Sequence, residues 1–313
     1  MSGMKYQVFA DFDAYEDAIQ HAAVRMTLHR RDRPRWAVGQ MSLGRMHLQW
    51  GTSGGGMVTE GEILPGGYAL FVPLNHWSTN GVNGSRLNEG SMMVASAGAE
   101  FCISADGWND WLTLFVPTGN LGKDTLSIGE GITPACRVVH LGNHRLRLVR
   151  HRIRELIKSS VGGEQHSAVE AAELELHQLA KSAVMHALFD EDRGLGRPML
   201  DRQGVVRMVT SAIALDAAPE KTARVRDLID AAKVSERTLH RAFQDWFGIS
   251  PVRYLRLRQL HSVRDALLAA NPETTTVTDV FVRHDIRQFG RFAGVYRTLF
   301  GELPSQTLSR LKG

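Results

Sequence analysis

Glu236, Arg237, His240, Arg241 and Gln244 recur at steps of three and four residues, the spacing that lines side chains up on one face of an α-helix. Their types suit one chemistry in particular. A guanidinium forks onto guanine, a glutamine amide onto adenine, and a carboxylate accepts from cytosine, all at base edges in the DNA major groove. A charged outer face on an isolated helix is more often plain solvated surface. Its meaning depends on the element that carries it.

That element is written twice. Leu239, Phe243, Phe247-Gly248 and Pro251 return as Phe292, Tyr296, Phe300-Gly301 and Pro304, each displaced by 53 residues. Apolar residues four apart predict a buried helix stripe, the glycine predicts the helix stop, and the proline predicts the start of the next helix. Ser235 is a good N-cap for the first copy. Short amphipathic segments precede both copies, Val225 to Ala232 and Val277 to His284. Short helix, tight turn and longer helix make a helix-turn-helix unit, whose second helix enters the major groove. A connecting helix from Pro251 to about Ala269 would be roughly 28 Å long, suited to holding two recognition helices roughly one DNA turn, about 34 Å, apart. A further helix is expected over Arg202 to Leu215, giving seven in this region.

The 313 residues allow two domains, and a hydrophobic content of 43% is ordinary for a globular protein. The net charge of +4 is unevenly divided. From Asp201 onward 18 Lys and Arg face 12 Asp and Glu, a surplus of six, while the rest carries 19 against 21. Positive charge collects where the duplicated unit lies, as phosphate binding requires. Cys102 and Cys136 are the only cysteines, too few for a disulfide framework or a four-cysteine zinc site. Met1 to Ala10 lacks a signal-peptide pattern and no run is long enough to span a bilayer, so no membrane association and a cytoplasmic location are expected.

Trp36 to Val116 alternates short apolar runs with breaks such as Gly54-Gly55-Gly56 and Pro65-Gly66-Gly67. Met46 to Trp50, Tyr68 to Val72, Ser91 to Ala95 and Trp111 to Val116 are predicted strands, in a β-sandwich or small barrel; Tyr15 to Leu28 reads as a helix or an entering strand. Leu146, Val149, Ile153, Leu156 and Ile157, then Val169, Leu174, Leu176, Leu179, Ala183 and Leu188, predict two helices around the Gly162-Gly163 break. Their apolar stripe must be buried on the β-domain or on a second subunit. The expected layout is α+β and multidomain: a β-rich domain over 1–137; a helical hairpin over 138–192; a linker over 193–203; and an all-α domain with two helix-turn-helix units over 204–313.

The C-terminal hundred residues resemble the AraC/XylS family of transcription regulators. Phe289 to Ser305 is similar to the family signature, and Ser235 to Phe243 to its first recognition helix; Ser305-Gln306-Thr307-Leu308 further resembles the subgroup that includes the ethanolamine-operon activator. The resemblance implies an effector-responsive activator that binds promoter DNA and RNA polymerase, as a homodimer, with 1–137 a cupin-like β-barrel that senses the effector and 138–192 a dimerisation element. It places Arg237, His240 and Arg241 in the groove. Positions where relatives often carry long base-contacting side chains hold Gly290 and Gly294 here, so Arg287, Gln288, Arg291 and Arg297 are expected to serve the second unit largely through phosphates. Asp285 and Ile286 replace the usual Gly-Phe turn, and Phe281 replaces a small residue.

The resemblance also implies an effector pocket in the N-terminal half, for which Trp36, Trp50, His76 and Trp77 are the candidates, against the commoner role of aromatics as core. His47 and His76 lack the spacing of a metal site, and no cofactor is expected. The competing reading is an enzyme, a metal cupin or methyl-transfer protein, fused to a DNA-binding module. Two cysteines cannot build the zinc-held acceptor that methyl transfer needs.

Overall fold

The computed structural model describes residues 4–33, 35–121, 135–162, 166–189 and 224–310. The chain divides into two compact units, Met1–Met26 with Asp32–Arg193 and Thr27–Arg31 with Gly194–Gly313. The linker expected over 193–203 and the helix expected over Arg202 to Leu215 lie outside the described residues.

In chain order the sheet-rich part holds β1 (Lys5–Phe9), α1 (Phe12–Asp17), β2 (Ala22–Arg31, whose residues from Thr27 fall in the second unit), β3 (Trp36–Leu43), β4 (Met46–Ser53), β5 (Gly55–Ile63), β6 (Gly67–Pro73), β7 (Asn80–Val82), β8 (Ser85–Arg86), β9 (Ser91–Ser96), β10 (Glu100–Ala105), β11 (Asn109–Pro117) and β12 (Cys136–His140). Helices α2 (Asn143–Gly162) and α3 (His166–Phe189) follow. The segment Tyr15 to Leu28 therefore splits: it ends a helix capped by the Asp11 carboxylate, which accepts from Ala14 N at 3.0 Å, and then becomes β2.

The strands sort into two sheets, one ordered β1-β3-β4-β11-β6-β9-β12 and one ordered β2-β5-β10-β7-β8. Neither closes on itself among the described residues, which corrects the expectation of a barrel. The reason lies in the side-chain alternation of the larger sheet. Leu112, Leu114 and Val116 of β11, with Leu70 and Val72 of β6, join one core with Leu146, Val149, Ile153, Leu176 and Val184 of the helices. Trp111 and Thr113 of β11 and Ala69 and Phe71 of β6 point the other way, onto a cavity shared with residues of the smaller sheet. A strand puts successive side chains on opposite faces. A sheet with both faces buried is a middle layer, here between the helix pair and the smaller sheet.

The α2–α3 pair runs antiparallel, since Arg145 Nη1 donates to Ser182 at 3.1 Å and Arg152 pairs with Glu175 at 3.2 Å. Leu146, Val149, Ile153 and Leu156 are buried as the spacing predicts, and so are Leu176, Leu179 and Ala183. Leu174 is 61% exposed, because the stripe of α3 runs through Ala172, Leu176, Leu179 and Ala183 and leaves Leu174 out of phase. That stripe is consumed by the sheet within the chain. No helix among the described residues is long and apolar enough to cross a membrane.

The second unit contains α4 (Val225–Ala232), α5 (Glu236–Phe247), α6 (Pro251–Ala269), α7 (Val277–Arg283), α8 (Phe289–Phe300) and α9 (Pro304–Leu308). Both helix stops work as the repeat predicts. Gly248 and Gly301 take φ of 69° and 80° and donate to Gln244 O at 3.2 Å and Arg297 O at 2.8 Å. This left-handed cap suits glycine, which lacks a Cβ. Pro251 opens α6, behind Ser250, whose hydroxyl accepts from Arg253 N at 3.3 Å.

Candidate nucleic-acid interface

Helix α5 is anchored by one side and offers the other. Leu239, Ala242, Phe243, Trp246 and Phe247 are buried, and the rings of Phe243 and Phe247 meet Tyr254 of α6 at 5.2 and 4.8 Å. Trp246 was not singled out by the repeat, although it lies in phase with Ala242 and widens the same stripe. The N-terminus is held by the Ser235 hydroxyl, which accepts from Thr238 N at 3.2 Å. Lys233 makes the turn from α4 with φ of 52°.

Glu236, Arg237, Arg241 and Gln244 are exposed and His240 is half-buried, so the structure brings the five sequence candidates onto the outer face of α5. They are loosely tied among themselves: Glu236 lies 3.9 Å from His240, and Arg241 lies 3.7 Å from Asp245. Exposed pairs of this kind are worth little and can exchange for DNA contacts at small cost. Gln244 differs from the rest. Its Nε2 donates to Gly248 O at 3.1 Å, so this amide closes the C-terminal end of its own helix.

The second unit repeats the plan with altered parts. Five residues, His284 to Gln288, separate α7 from α8, against three between α4 and α5. Asp285 adopts φ of 52°, a backbone conformation that favours glycine, and Arg287 Nε donates to its carboxylate at 3.3 Å. Ile286 is buried. The large Phe281 is accommodated edge-on against Phe289 and Phe292, with centroids 5.4 and 5.1 Å away. Helix α7 starts with a capping box in which Thr276 and Asp279 exchange hydrogen bonds; those from Thr276 hold the Asp279 carboxyl below its usual range. Helix α8 has no side-chain cap at Gln288.

Arg287, Gln288, Arg291 and Arg297 are all exposed. Arg291 Nη1 reaches Gln288 Oε1 at 3.5 Å. Gly290 and Gly294 are exposed too, and a Cβ at either would meet open space within 4 Å among the described residues. The outer face of α8 is thus arginine-flanked bare backbone.

The inner face of α8 carries a polar network that sequence reasoning missed. Arg264 of α6, 1% exposed at its side chain, pairs with Glu302 at 2.7 Å and donates to Tyr296 OH at 3.3 Å. Tyr296 OH lies 2.8 Å from Thr307, whose hydroxyl donates to Glu302 at 2.8 Å. Arg310 adds a 2.8 Å pair to the same carboxylate, and the Arg264 guanidinium lies 4.6 Å from the Phe300 ring centre. Burial alone would raise the Glu302 carboxyl; hydrogen bonds from Thr307 and Arg264, with the charges of Arg264 and Arg310, bring it below its ordinary value. Burial pushes the Tyr296 hydroxyl up. The available signal was Arg264 itself, a charge at apolar spacing from Leu257, Leu260 and Leu267.

The candidates in the first unit are not brought together. Trp36 packs on Phe12 and Tyr15 at 5.4 and 5.1 Å, and Trp50 belongs to the core shared with the helices. His76 is exposed beside Trp108 at 4.7 Å, and Trp77 lies 4.9 Å from the Arg150 guanidinium. None of the four lines the inter-sheet cavity. No group of three metal-ligating side chains occurs among the described residues.

Two helix-turn-helix units joined by one helix, each with a cationic outer face, define a DNA-binding module of the tandem helix-turn-helix class. The helix-turn-helix domain profile matches residues 228–310. The chain is 34% identical over 116 residues to XylDLEGF operon transcriptional activator 2 of Pseudomonas putida, covering 36% of this chain and 68% of that protein. It is 29% identical over 159 residues to a probable thc operon regulatory protein of Rhodococcus erythropolis, covering 48% of this chain and 47% of that one. Among solved structures it is similar to the AraC-like transcriptional activator CuxR, with 12% identity over 82% of this chain and 94% of that chain and a TM-score of 0.43. The chain belongs to the AraC/XylS family of transcription regulators. It spans about a third of the length, 34%, of the first curated relative it matches.

Proposed function

We propose that this protein is a sequence-specific DNA-binding transcription regulator, an effector-responsive activator, and not an enzyme. The observation that carries the reading is the outer face of α5, where Glu236, Arg237, His240 and Arg241 stand clear of a buried aromatic anchor. The first helix-turn-helix reads bases. The second, with glycines where long side chains would reach the groove, grips phosphates through Arg287, Gln288, Arg291 and Arg297. The connecting helix, 19 residues and so roughly 28 Å long, sets their spacing at about one turn of the double helix.

The sheet-rich unit is the sensor for a small-molecule effector. RNA polymerase is the partner through which the bound protein activates, in the cytoplasm and as a homodimer. Because α2 and α3 spend their apolar stripe on the sheet, a dimer contact there would use their outer faces, where Leu148 and Leu174 are exposed. The domain layout proposed is 1–137 for sensing, 138–192 for the helical pair, 193–203 for the linker and 204–313 for DNA binding.

Selection of bound duplexes from a random pool with the full-length protein tests the reading. A single enriched motif is expected, with an affinity at least a thousandfold above that for random duplex at matched salt. Recovery of no preferred sequence would remove it.

A further inference from the structure

We propose that the cavity between the two sheets of the first unit binds a small, uncharged, largely apolar molecule bearing one hydrogen-bonding oxygen. The proposal rests on the effector-sensing reading above and gives that effector a place and a chemical class.

The cavity holds about 70 Å³ of open space, walled by Met57, Phe101 and Ile103 of the smaller sheet and Phe71, Met93 and Trp111 of the larger. No Lys, Arg, Asp or Glu lines it. Moving a carboxylate, phosphate or ammonium from water into such a site without a counter-charge is costly, and a sugar would leave most of its hydroxyls unpaired. A neutral apolar body gains from the same walls.

Two polar groups in the lining are left with capacity. Buried His21 Nε2 has no hydrogen-bond partner among the described residues. Its ring is pinned flat on Phe115 at 4.1 Å, and its backbone takes φ of 62°, an uncommon conformation outside glycine that surrounding structure must hold in place. Burial and the neighbouring His47 lower its pKa, which favours the uncharged imidazole. Tyr15 OH, fully buried, accepts from Trp111 Nε1 at 2.7 Å, and its own proton meets no acceptor among the described residues. An oxygen beside Tyr15 OH accepts its proton, and the uncharged His21 ring is a second hydrogen-bonding position in the same lining. An engineered apolar cavity of about 150 Å³ takes up benzene; this one is smaller, so a ring enters as Met26, Met57 and Met93 give way. Methionine side chains are suited to that.

Calorimetric titration and thermal shift of the full-length protein with phenol, toluene, benzoate and glucose at pH 8 test the assignment. Phenol should bind saturably and raise the unfolding midpoint, toluene and benzoate should each bind at least tenfold more weakly, and glucose should have no effect. Ala69→Phe, which fills the cavity, should abolish phenol binding while the variant keeps the wild-type far-ultraviolet dichroism spectrum. If Ala69→Phe fails to fold, Tyr15→Phe decides: phenol should weaken about tenfold with toluene unaffected. Benzoate binding as tightly as phenol, no saturable phenol binding, or wild-type phenol affinity in the readable variant would overturn the cavity assignment. Benzoate or glucose binding that survives Ala69→Phe would overturn the assignment and leave effector sensing standing. If none of the four compounds binds, the assignment falls, and a wider screen without a hit would take effector sensing with it.

Discussion

The two helix-turn-helix units share a backbone plan and differ in what holds them together and what they present. The first is anchored by a cluster of aromatics, Phe243, Phe247 and Tyr254, and presents long side chains behind a serine cap. The second is anchored by the Arg264–Glu302–Tyr296–Thr307 network and presents arginines around two bare glycines, with no side-chain cap. A duplicated fold therefore does not imply a duplicated task. The copies differ in both core and surface, and the proposed reading gives discrimination to one and grip to the other.

The largest test of that contrast is Glu302→Ala. Removing one partner of a buried ion pair costs about 3 to 5 kcal/mol, and the loss should fall on α8 and α9 while α5 keeps its protection in amide exchange. Equal loss of protection in α5 would mean that the units share one anchor. Acid should reproduce the effect. A carboxyl whose folded pKa is depressed gives stability that is present above its unfolded pKa, near 4.3, and lost as pH falls through the folded value. Exchange in α8 should therefore accelerate ahead of α5 as pH is lowered below about 4.3.

Next in size, Arg241→Ala should weaken binding to the selected site by about 1 to 3 kcal/mol and relax preference at one base pair. A uniform loss on all duplexes would make Arg241 a phosphate contact and erase the difference between the units. Gly294→Ala should stabilise the protein by about 1 kcal/mol, because a methyl there meets open space and alanine favours helix. If the bare face lies close against DNA, the same variant binds more weakly on every sequence; unchanged binding would show that the glycines do nothing at the interface. Smallest is Arg297→Ala, which should lower affinity evenly and reduce the salt slope by about one. A shifted sequence preference would turn the second unit into a reader.

Much of this was legible from residue order. A glycine after an apolar stripe can be recognised because left-handed caps have few tolerated residues, and the 53-residue displacement exposed both copies at once. The exposed set on α5 followed from the stripe by subtraction. The network around Glu302 was not legible, since Arg264, Tyr296 and Thr307 are far apart in sequence and meet only through packing. Barrel closure failed for a related reason: apolar β-strands look alike whether one face is covered or two, and only the helices lying on Leu112 and Leu114 distinguish the cases. Aromatic content reports burial more directly than a pocket: Trp36 and Trp50 are interior, and neither lines the inter-sheet cavity.

On β11, Trp111 and Leu112 are consecutive, one walling the cavity and the next seated under the α2–α3 pair. The larger sheet is thus a party wall between two rooms, one backbone thick. A guest that displaced Trp111 would have to bend the same backbone that seats Leu112 against the opposite lodging.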